Sequence, residues 1–506
     1  MIAIRRVFFV AVIVAALLSA CRRTAETTTT STTGTETTGS TGTDTTGTPP
    51  ATGTFPAIPA PVISGNIPTT VPIPANPPPN ATSEQFRPYF DWFSWESFIA
   101  LNWPAGTGRG NPQDPDNPSA FTSMANQTPV TWATYKANWE LYDQYDQRPT
   151  PWSSYDAPYT PSVCPQAKAT DRQMVMVTKG DTILNDLNEA FSFPLIDQQS
   201  NPVYFEVRYN QAYYDFVRGA DNTPSSWLYL SQNLPTDYTP VPLPPNSSST
   251  ADAIMVKAAW RNVSSLQTTL LSRYYIVNAW VYTPGATPPC SQTDMGLVGF
   301  HIAQKTKEFP QWIWSTFEQI DNVPPRAAAN VPMSFNNGTD EPSTGTQGFA
   351  NRPTYLAPGQ LPPTSTPTQV TRVNPIPTTP PGASTVDVNN TFHAALPKTS
   401  PWQYYQLVVT QWPTNPQRFK PPANRGVYPQ DSGQPFPVDG AVNTTLETYF
   451  QTQTLAAGAF GNSCMSCHFN AGTGLRDYSW GFARRPHPNA PPPSNVKVRA
   501  TKVASN

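Results

Sequence analysis

The run MGLVGFHIAQKT, Met295 to Thr306, is apolar at most of its positions and ends on the polar residues Gln304, Lys305 and Thr306. Its length and its Val, Ile and Phe content read as a strand. His301 is the one ionisable group before Lys305, and a polar ring in so apolar a setting needs a partner.

Working outward, six further segments share this character: DRQMVMVTKG, PVYFEVRYN, AIMVKAAWRNV, SRYYIVNAWVYTPG, QWIWSTFEQ and WQYYQLVVTQW. They are rich in Val, Ile, Tyr and Trp and are separated by turn residues, several closely enough to be antiparallel neighbours. In PVYFEVRYN the alternation sets Tyr204, Glu206 and Arg208 opposite Val203, Phe205 and Val207, which predicts one solvated face. Two earlier segments read as amphipathic helices. In FRPYFDWFSWESFIALNW, Pro88 suits the first turn; in VTWATYKANWELYDQ, Trp132, Tyr135, Trp139 and Tyr142 share one helical face. The 61 prolines argue against long helices and for many turns and loops. The expected class is α+β and β-rich, with a large antiparallel β core and a few short helices.

The chain of 506 residues opens with Arg5 and Arg6 ahead of an apolar run, Val7 to Leu18, and then Leu18-Ser19-Ala20-Cys21. The order of charge and apolar run is that of an export signal, and the run is short for a bilayer span. The last four residues resemble a bacterial lipobox, which implies a signal peptide over residues 1–21 and a lipid on Cys21. An ordinary signal peptide with an incidental cysteine is the alternative, and Arg5-Arg6-x-Phe8 also brushes against a twin-arginine signal. Arg22 follows Cys21, without the aspartate that resembles an inner-membrane retention signal, so the expected location is the cell envelope, anchored at the outer membrane and facing the periplasm or the cell surface. Residues 22–80 begin as a Thr/Gly stretch with too little apolar surface to offset the entropy of ordering, then turn proline-rich. They are expected to form a stalk that holds the body clear of the membrane.

The body is expected over residues 81–440, with an irregular Pro, Thr and Gly stretch over 336–384 as a surface excursion or a boundary. Aromatic residues make up 12% of the chain, which supports a sizeable core, and the net charge of −2 gives no electrostatic case for nucleic acid. No P-loop, G-x-S-x-G, H-E-x-x-H or G-x-G-x-x-G motif occurs. In NPQDPDNPS, Asp114 and Asp116 lack the spacing of a calcium loop and read as a turn. Of the five cysteines, Cys164 and Cys290 lie in proline-flanked loops of a chain expected to fold in an oxidising compartment. A disulfide is the expected outcome, two separate thiols the alternative.

The remaining pair stands in GNSCMSCHFNAG, residues 461–472, where Cys464, Cys467 and His468 form C-x-x-C-H. This is the attachment signature of haem c: two thiols for thioethers and an adjacent imidazole for the iron, all on one turn. Zinc would need a fourth ligand, and a redox dithiol a βαβ setting. On these residues the chain resembles the c-type cytochromes. With SWESFIALNWP, MGLVGFHIAQKT and QWIWSTFEQIDNVP it also looks like a group of large bacterial proteins of the cytochrome c family. The resemblance implies one covalent haem c, with His468 as proximal ligand, in a helical attachment segment over residues 441–485 packed against the β core. Residues 486–506 read as a basic flexible tail.

A small cytochrome c finds its second iron ligand downstream of the motif. Here no methionine follows Met465, and the one later histidine, His487, lies in a loose tail. His301 is the candidate distal ligand, with Gly296 and Gly299 beside it to admit a flat macrocycle; the alternative is a core histidine held by backbone or by a carboxylate such as Glu318. His393, Met295, Met333 and an open sixth position complete the set. Arg476, Arg484 and Arg485 either pair with propionates or are solvated. Three functions follow: a membrane-anchored electron carrier serving an unidentified redox partner protein, a haem enzyme of peroxidase or oxygenase type with an open distal site, and a binding or sensing module.

Overall fold

Every strand expected from the sequence finds its place in one sheet. The computed structural model describes residues 55, 58, 60–142, 149–156, 164–174, 188–189, 192–218, 253–283, 286–309, 311–325, 330–339, 347–356, 360, 366–415, 435–452, 462–469 and 478–481. The strands are β1 (Lys136–Ala137), β2 (Gln173–Met174), β3 (Tyr204–Tyr209), β4 (Ile254–Asn262), β5 (Ile276–Tyr282), β6 (Cys290–Gln304), β7 (Ile313–Gln319), β8 (Phe349–Ala350), β9 (Gln369–Val370), β10 (Tyr405–Pro413) and β11 (Pro435–Phe436). The main sheet runs β1-β3-β4-β6-β7-β10-β11, with β5 against the first half of β6 and β2 beside β5; β8 and β9 pair separately. All pairings are antiparallel except β2 with β5.

β6 contains the MGLVGFHIAQ run and is the hub. It pairs with β4 along one edge, and with β5 and then β7 along the other. Its pairing with β4 shifts register between Ala259 and Trp260, which leaves Val298 as an extra residue. Beyond the bulge, Phe300 and Ile302 point to one face, Gly299, His301 and Ala303 to the other.

The first face is covered by helix α1 (Ser83–Leu101) and helix α3 (Thr385–Ala395), helix α2 (Gln211–Arg218) lying elsewhere. Trp95, Phe98, Phe392 and Trp402 pack with Val256, Trp260, Phe300, Phe317 and Leu407 in the largest core cluster. Phe98 stacks on Phe317 with centroids 4.2 Å apart. Ser94 ties α1 to the sheet through Ser315 Oγ at 2.7 Å and Thr410 Oγ1 at 2.8 Å. The second face is covered by helix α2, through Tyr213, Tyr214 and Val217, and by the chain's C-terminal part, through Met465 and Tyr478.

Four expectations need correction. Pro88 is not in the first turn of α1, because the helix begins at Ser83, where the Thr82 N–H donates to Gln85 Oε1 at 2.9 Å. The segment around Trp132 is not one helix: a 3₁₀ turn (Thr131–Thr134), β1 and a short helix (Asn138–Tyr142) follow one another. The edge of β3 captures Lys136 and Ala137, and Arg208 Nη1 donates to the Tyr135 carbonyl at 2.8 Å, so tertiary pairing overrides local helical preference. The polar face of β3 is not wet. Glu206 and Arg208 are buried, and Glu206 is held between Arg172 at 2.6 Å and Arg208 at 2.5 Å. Finally, the proline-rich part of the expected stalk lies on the body. Ile58, Ile63 and Ile67 pack on the main core, Val71 and Ile73 on the Phe90 cluster, and Gln304 Nε2 donates to the Pro68 carbonyl at 2.6 Å.

Residues 1–54 with Cys21, and the tail from 482, lie outside the described residues. Among the described residues no helix is long and apolar enough to cross a membrane. The Cys164–Cys290 disulfide is formed, with Cα atoms 5.4 Å apart.

Candidate functional site

The C-x-x-C-H motif occupies helix α4 (Cys464–Phe469). The helix starts here because Ser463 stands at its N-cap: Ser463 Oγ accepts from Ser466 N at 3.3 Å, and the Ser463 carbonyl accepts from Cys467 N at 3.1 Å. One turn therefore carries both thiols, and His468 follows. The two cysteines are not bonded to each other, and each is half-buried.

Three anchors seat this helix on the second face of the sheet. Ala441 and Ser463 form a parallel bridge. Gln411 of β10, fully buried, accepts from Met465 N at 2.7 Å and donates to the Pro437 carbonyl at 2.6 Å. Met465 itself enters a cluster with Tyr209, Met255, Ala303, Trp314 and Tyr478. The Cys464 thiol lies 3.4 Å from the Ala441 carbonyl. Burial pushes this thiol well above its usual range, and the Glu447 carboxylate and Cys467 push it further the same way. A thiol held protonated is a poor redox nucleophile, which disfavours the dithiol reading.

His468 is fixed on two sides. Its Nδ1–H donates to the Tyr478 carbonyl at 2.8 Å, so in the neutral ring the lone pair sits on Nε2. Its ring lies against the indole of Trp314, centroids 4.4 Å apart at 45°. A backbone carbonyl that fixes the tautomer and orientation of a metal-binding imidazole is the usual second layer of such sites.

His301 lies on this same face. Its register partner on β7 is Thr316, two residues from Trp314 and hence about 7 Å along the strand. The segment after Gly440 runs over this row: Asn443 Nδ2 donates to Thr316 Oγ1 at 2.9 Å, and Glu447 Oε2 stands 3.2 Å from His301 Nε2. Burial pushes the Glu447 carboxyl upward, but His301 beside it, Lys257 and the Asn443 N–H together outweigh that effect, and the net result lies below the usual carboxylate range. The carboxylate facing His301 is thus Glu447. Glu318, the carboxylate offered as an example for the alternative, instead binds Arg372 and accepts from Thr444 Oγ1 at 2.8 Å. Gly299 is as close-packed as expected, but against the protein itself: a Cβ there would fall 2.2 Å from Thr445 Oγ1. Gly296 is filled in the same way, by Val263 and Tyr274.

The other candidates are elsewhere. His393 is in the helix layer, where Nε2–H donates to the Tyr405 carbonyl at 2.7 Å and the ring meets Trp95 edge-on. Burial lowers its pKa. It is a satisfied core histidine. Met295 is in the main core, and Met333 lies beside Arg261 and Tyr274. Arg476, Arg484, Arg485 and His487 lie outside the described residues.

The donor set fits a haem of the c type. Two thiols and an imidazole share one turn, the imidazole is held by a carbonyl, and the Trp314 indole N–H beside it is buried with no hydrogen-bond partner among the described residues. Trp314, Tyr478, Glu447 and Gln411 escaped the sequence reading. For Trp314 a signal exists: strand alternation in QWIWSTFEQ puts it on the face of Thr316. The chain matches no family model, no curated protein and no solved structure.

Proposed function

We propose that this chain is an exported, lipid-anchored monohaem cytochrome of the c type that carries electrons to or from a redox partner protein, with Cys21 as its anchor. Cys464 and Cys467 would hold the haem as thioethers, and His468 would bind the iron through Nε2. Each thiol would add across one vinyl group, sulfur to one carbon and the proton to the other, so nothing would be oxidised. When bound, the haem supplies one-electron chemistry. The observation that carries the reading is His468, on the same capped turn as the two thiols, with Nδ1–H committed to the Tyr478 carbonyl. The Trp314 ring against it and the Tyr478 carbonyl on Nδ1 hold it in place, which limits rearrangement when the charge changes.

His301 is the candidate second ligand. To serve, its Nε2 must exchange Glu447 for iron. That contact favours a second reading, a haem enzyme in which His301 and Glu447 stay paired and move protons at an open distal site. Two measurements test these proposals. Protein matured in a host competent for haem attachment should carry an iron chromophore through denaturing electrophoresis, and the Cys464→Ser/Cys467→Ser variant should not. The spectrum of the reduced protein with and without carbon monoxide then separates carrier from enzyme: low-spin and indifferent for the first, high-spin and gas-binding for the second.

A further inference from the structure

Arg172 lies between two indoles. Its guanidinium is 4.8 Å from the ring centroid of Trp132 and 4.9 Å from that of Trp260, and Nη2 donates to Glu206 Oε2 at 2.6 Å. Desolvating a guanidinium in this way is costly unless its counterion is met, so the segment that carries it has to be held in place. That segment has little sheet of its own. β2 pairs with β5 only through Gln173 and Met174, opposite Trp280 and Val281, and Met174 reaches the main core. Trp280 adds two bonds, from N to the Arg172 carbonyl at 2.9 Å and from Nε1 to Asp171 Oδ2 at 3.2 Å. So short a pairing is weak by itself.

Cys164 supplies a further hold. It is buried with Cys290 against Ala167, Trp280 and Tyr282, and Cys290 opens β6 opposite Tyr282 at the end of β5. The bridge joins positions 126 residues apart and fastens the segment to the β5–β6 hairpin whose edge β2 uses. From Cys164 the chain reaches Arg172 through turns: Ala167 N donates to the Cys164 carbonyl and Asp171 N to the Lys168 carbonyl, each at 3.0 Å, while Lys168 N donates to Asp171 Oδ2 at 2.8 Å. A constraint at Cys164 is thereby passed to the residue that enters the core.

We infer that the Cys164–Cys290 disulfide is a redox-operated clasp for Arg172: oxidation of the two thiols seats the guanidinium on Glu206, and reduction frees it. In closing, the thiols give up two protons and two electrons to the disulfide of an exchange partner, which leaves as a dithiol, and one S–S bond forms. Reduction by a dithiol runs the same step backwards. With the clasp open, Glu206 keeps Arg208 and loses its second cation. The clasp works independently of haem attachment.

Such coupling is reciprocal. Arg172→Met keeps a long side chain between the indoles and leaves Arg208 on Glu206. In glutathione buffers, with thiols counted by alkylation and mass, its disulfide is expected to be about tenfold easier to reduce than that of wild type, or about 30 mV for this two-electron couple. In the other direction, Cys164→Ser/Cys290→Ser is expected to let trypsin cut after Arg172 about tenfold faster under native conditions. Glu206→Gln should then lower the urea midpoint less in the serine background than in wild type. A disulfide that only cross-links the unfolded chain gives the opposite results: the wild-type reduction ratio in Arg172→Met, and the full loss from Glu206→Gln without the bridge. Either one overturns the clasp. If the serine variant does not fold, the reduction ratio of Arg172→Met decides alone, since it is measured with the bridge present: a tenfold shift upholds the clasp and an unchanged ratio overturns it.

Discussion

His301 Nε2 faces Glu447 Oε2 across 3.2 Å, and the pair bridges the central strand of the sheet to the segment that leads into the C-x-x-C-H helix. The contact gives His301 the partner that its apolar strand demanded, and makes it the link between the β body and the candidate haem site. His301→Ala is expected to convert the reduced holoprotein from a low-spin to a high-spin spectrum. An unchanged low-spin spectrum removes His301 from the iron and leaves Glu447 as its whole reason for being there.

Gln411 joins two backbones with one side chain, accepting from Met465 N and donating to the Pro437 carbonyl. Gln411→Ala leaves both groups buried and unmade, at roughly 1–3 kcal/mol for each. The loss falls on α4. The variant should therefore show a lower yield of thioether-linked haem together with a lower unfolding midpoint in urea. A variant destabilised to that extent but loaded with haem as fully as wild type would show that Gln411 does not position the motif.

Asp91 of α1 is fully buried, with Oδ2 accepting from Thr385 Oγ1 at 2.6 Å and Oδ1 without a partner. Burial raises its pKa to about 6, opposed by Arg87 and the Thr385 bond. Folding thus favours the protonated acid. The stability it contributes is present below the unfolded value near pH 4 and is lost as pH rises through about 6, a difference of about 3 kcal/mol by linkage. Asp91→Asn should raise the thermal midpoint at pH 8 and leave it nearly unchanged at pH 4. Equal shifts at both values would show that the charge at this site is not what matters.

Glu206 shows the opposite sign. Burial drives its carboxyl upward, but Arg172 and Arg208 together outweigh it and hold the group below the ordinary range. Its contribution is present above the unfolded value near pH 4.3 and fades as pH falls below it toward the folded value. Glu206→Gln leaves two buried guanidinium groups without their counterion, and Trp260 Nε1 keeps only a weakened acceptor. The expected loss is about 3–5 kcal/mol at pH 7, readable as a fall in the urea midpoint. A loss under 1 kcal/mol would mean that solvent reaches this face after all.

Alternation and β-branched content located every strand of the main sheet except the two-residue β1 and β11, because period-2 patterning is a local property of the chain. The pairing of Cys164 with Cys290 followed from their loop setting. The spacing of Cys464, Cys467 and His468 likewise needs only one helical turn. The sequence could not say which carboxylate meets His301, since Glu447 is far from it in the chain and the competing Glu318 is nearer. Nor could composition show that Glu206 and Arg208 lie dry: a charge is tolerated inside only when its counterion is delivered by another strand or loop, here Arg172. The proline-rich stretch after residue 55 looked like a spacer because it has no periodicity, and became part of the body because Ile58, Ile63, Ile67, Val71 and Ile73 found uncovered core to lie on. What the sequence determined by itself was set by neighbours along the chain: the strands, the capped motif turn and the disulfide loops. What the tertiary structure decided was which face each strand shows to which partner, because burial, ion pairing and the seating of His468 against Trp314 depend on residues that only folding brings together.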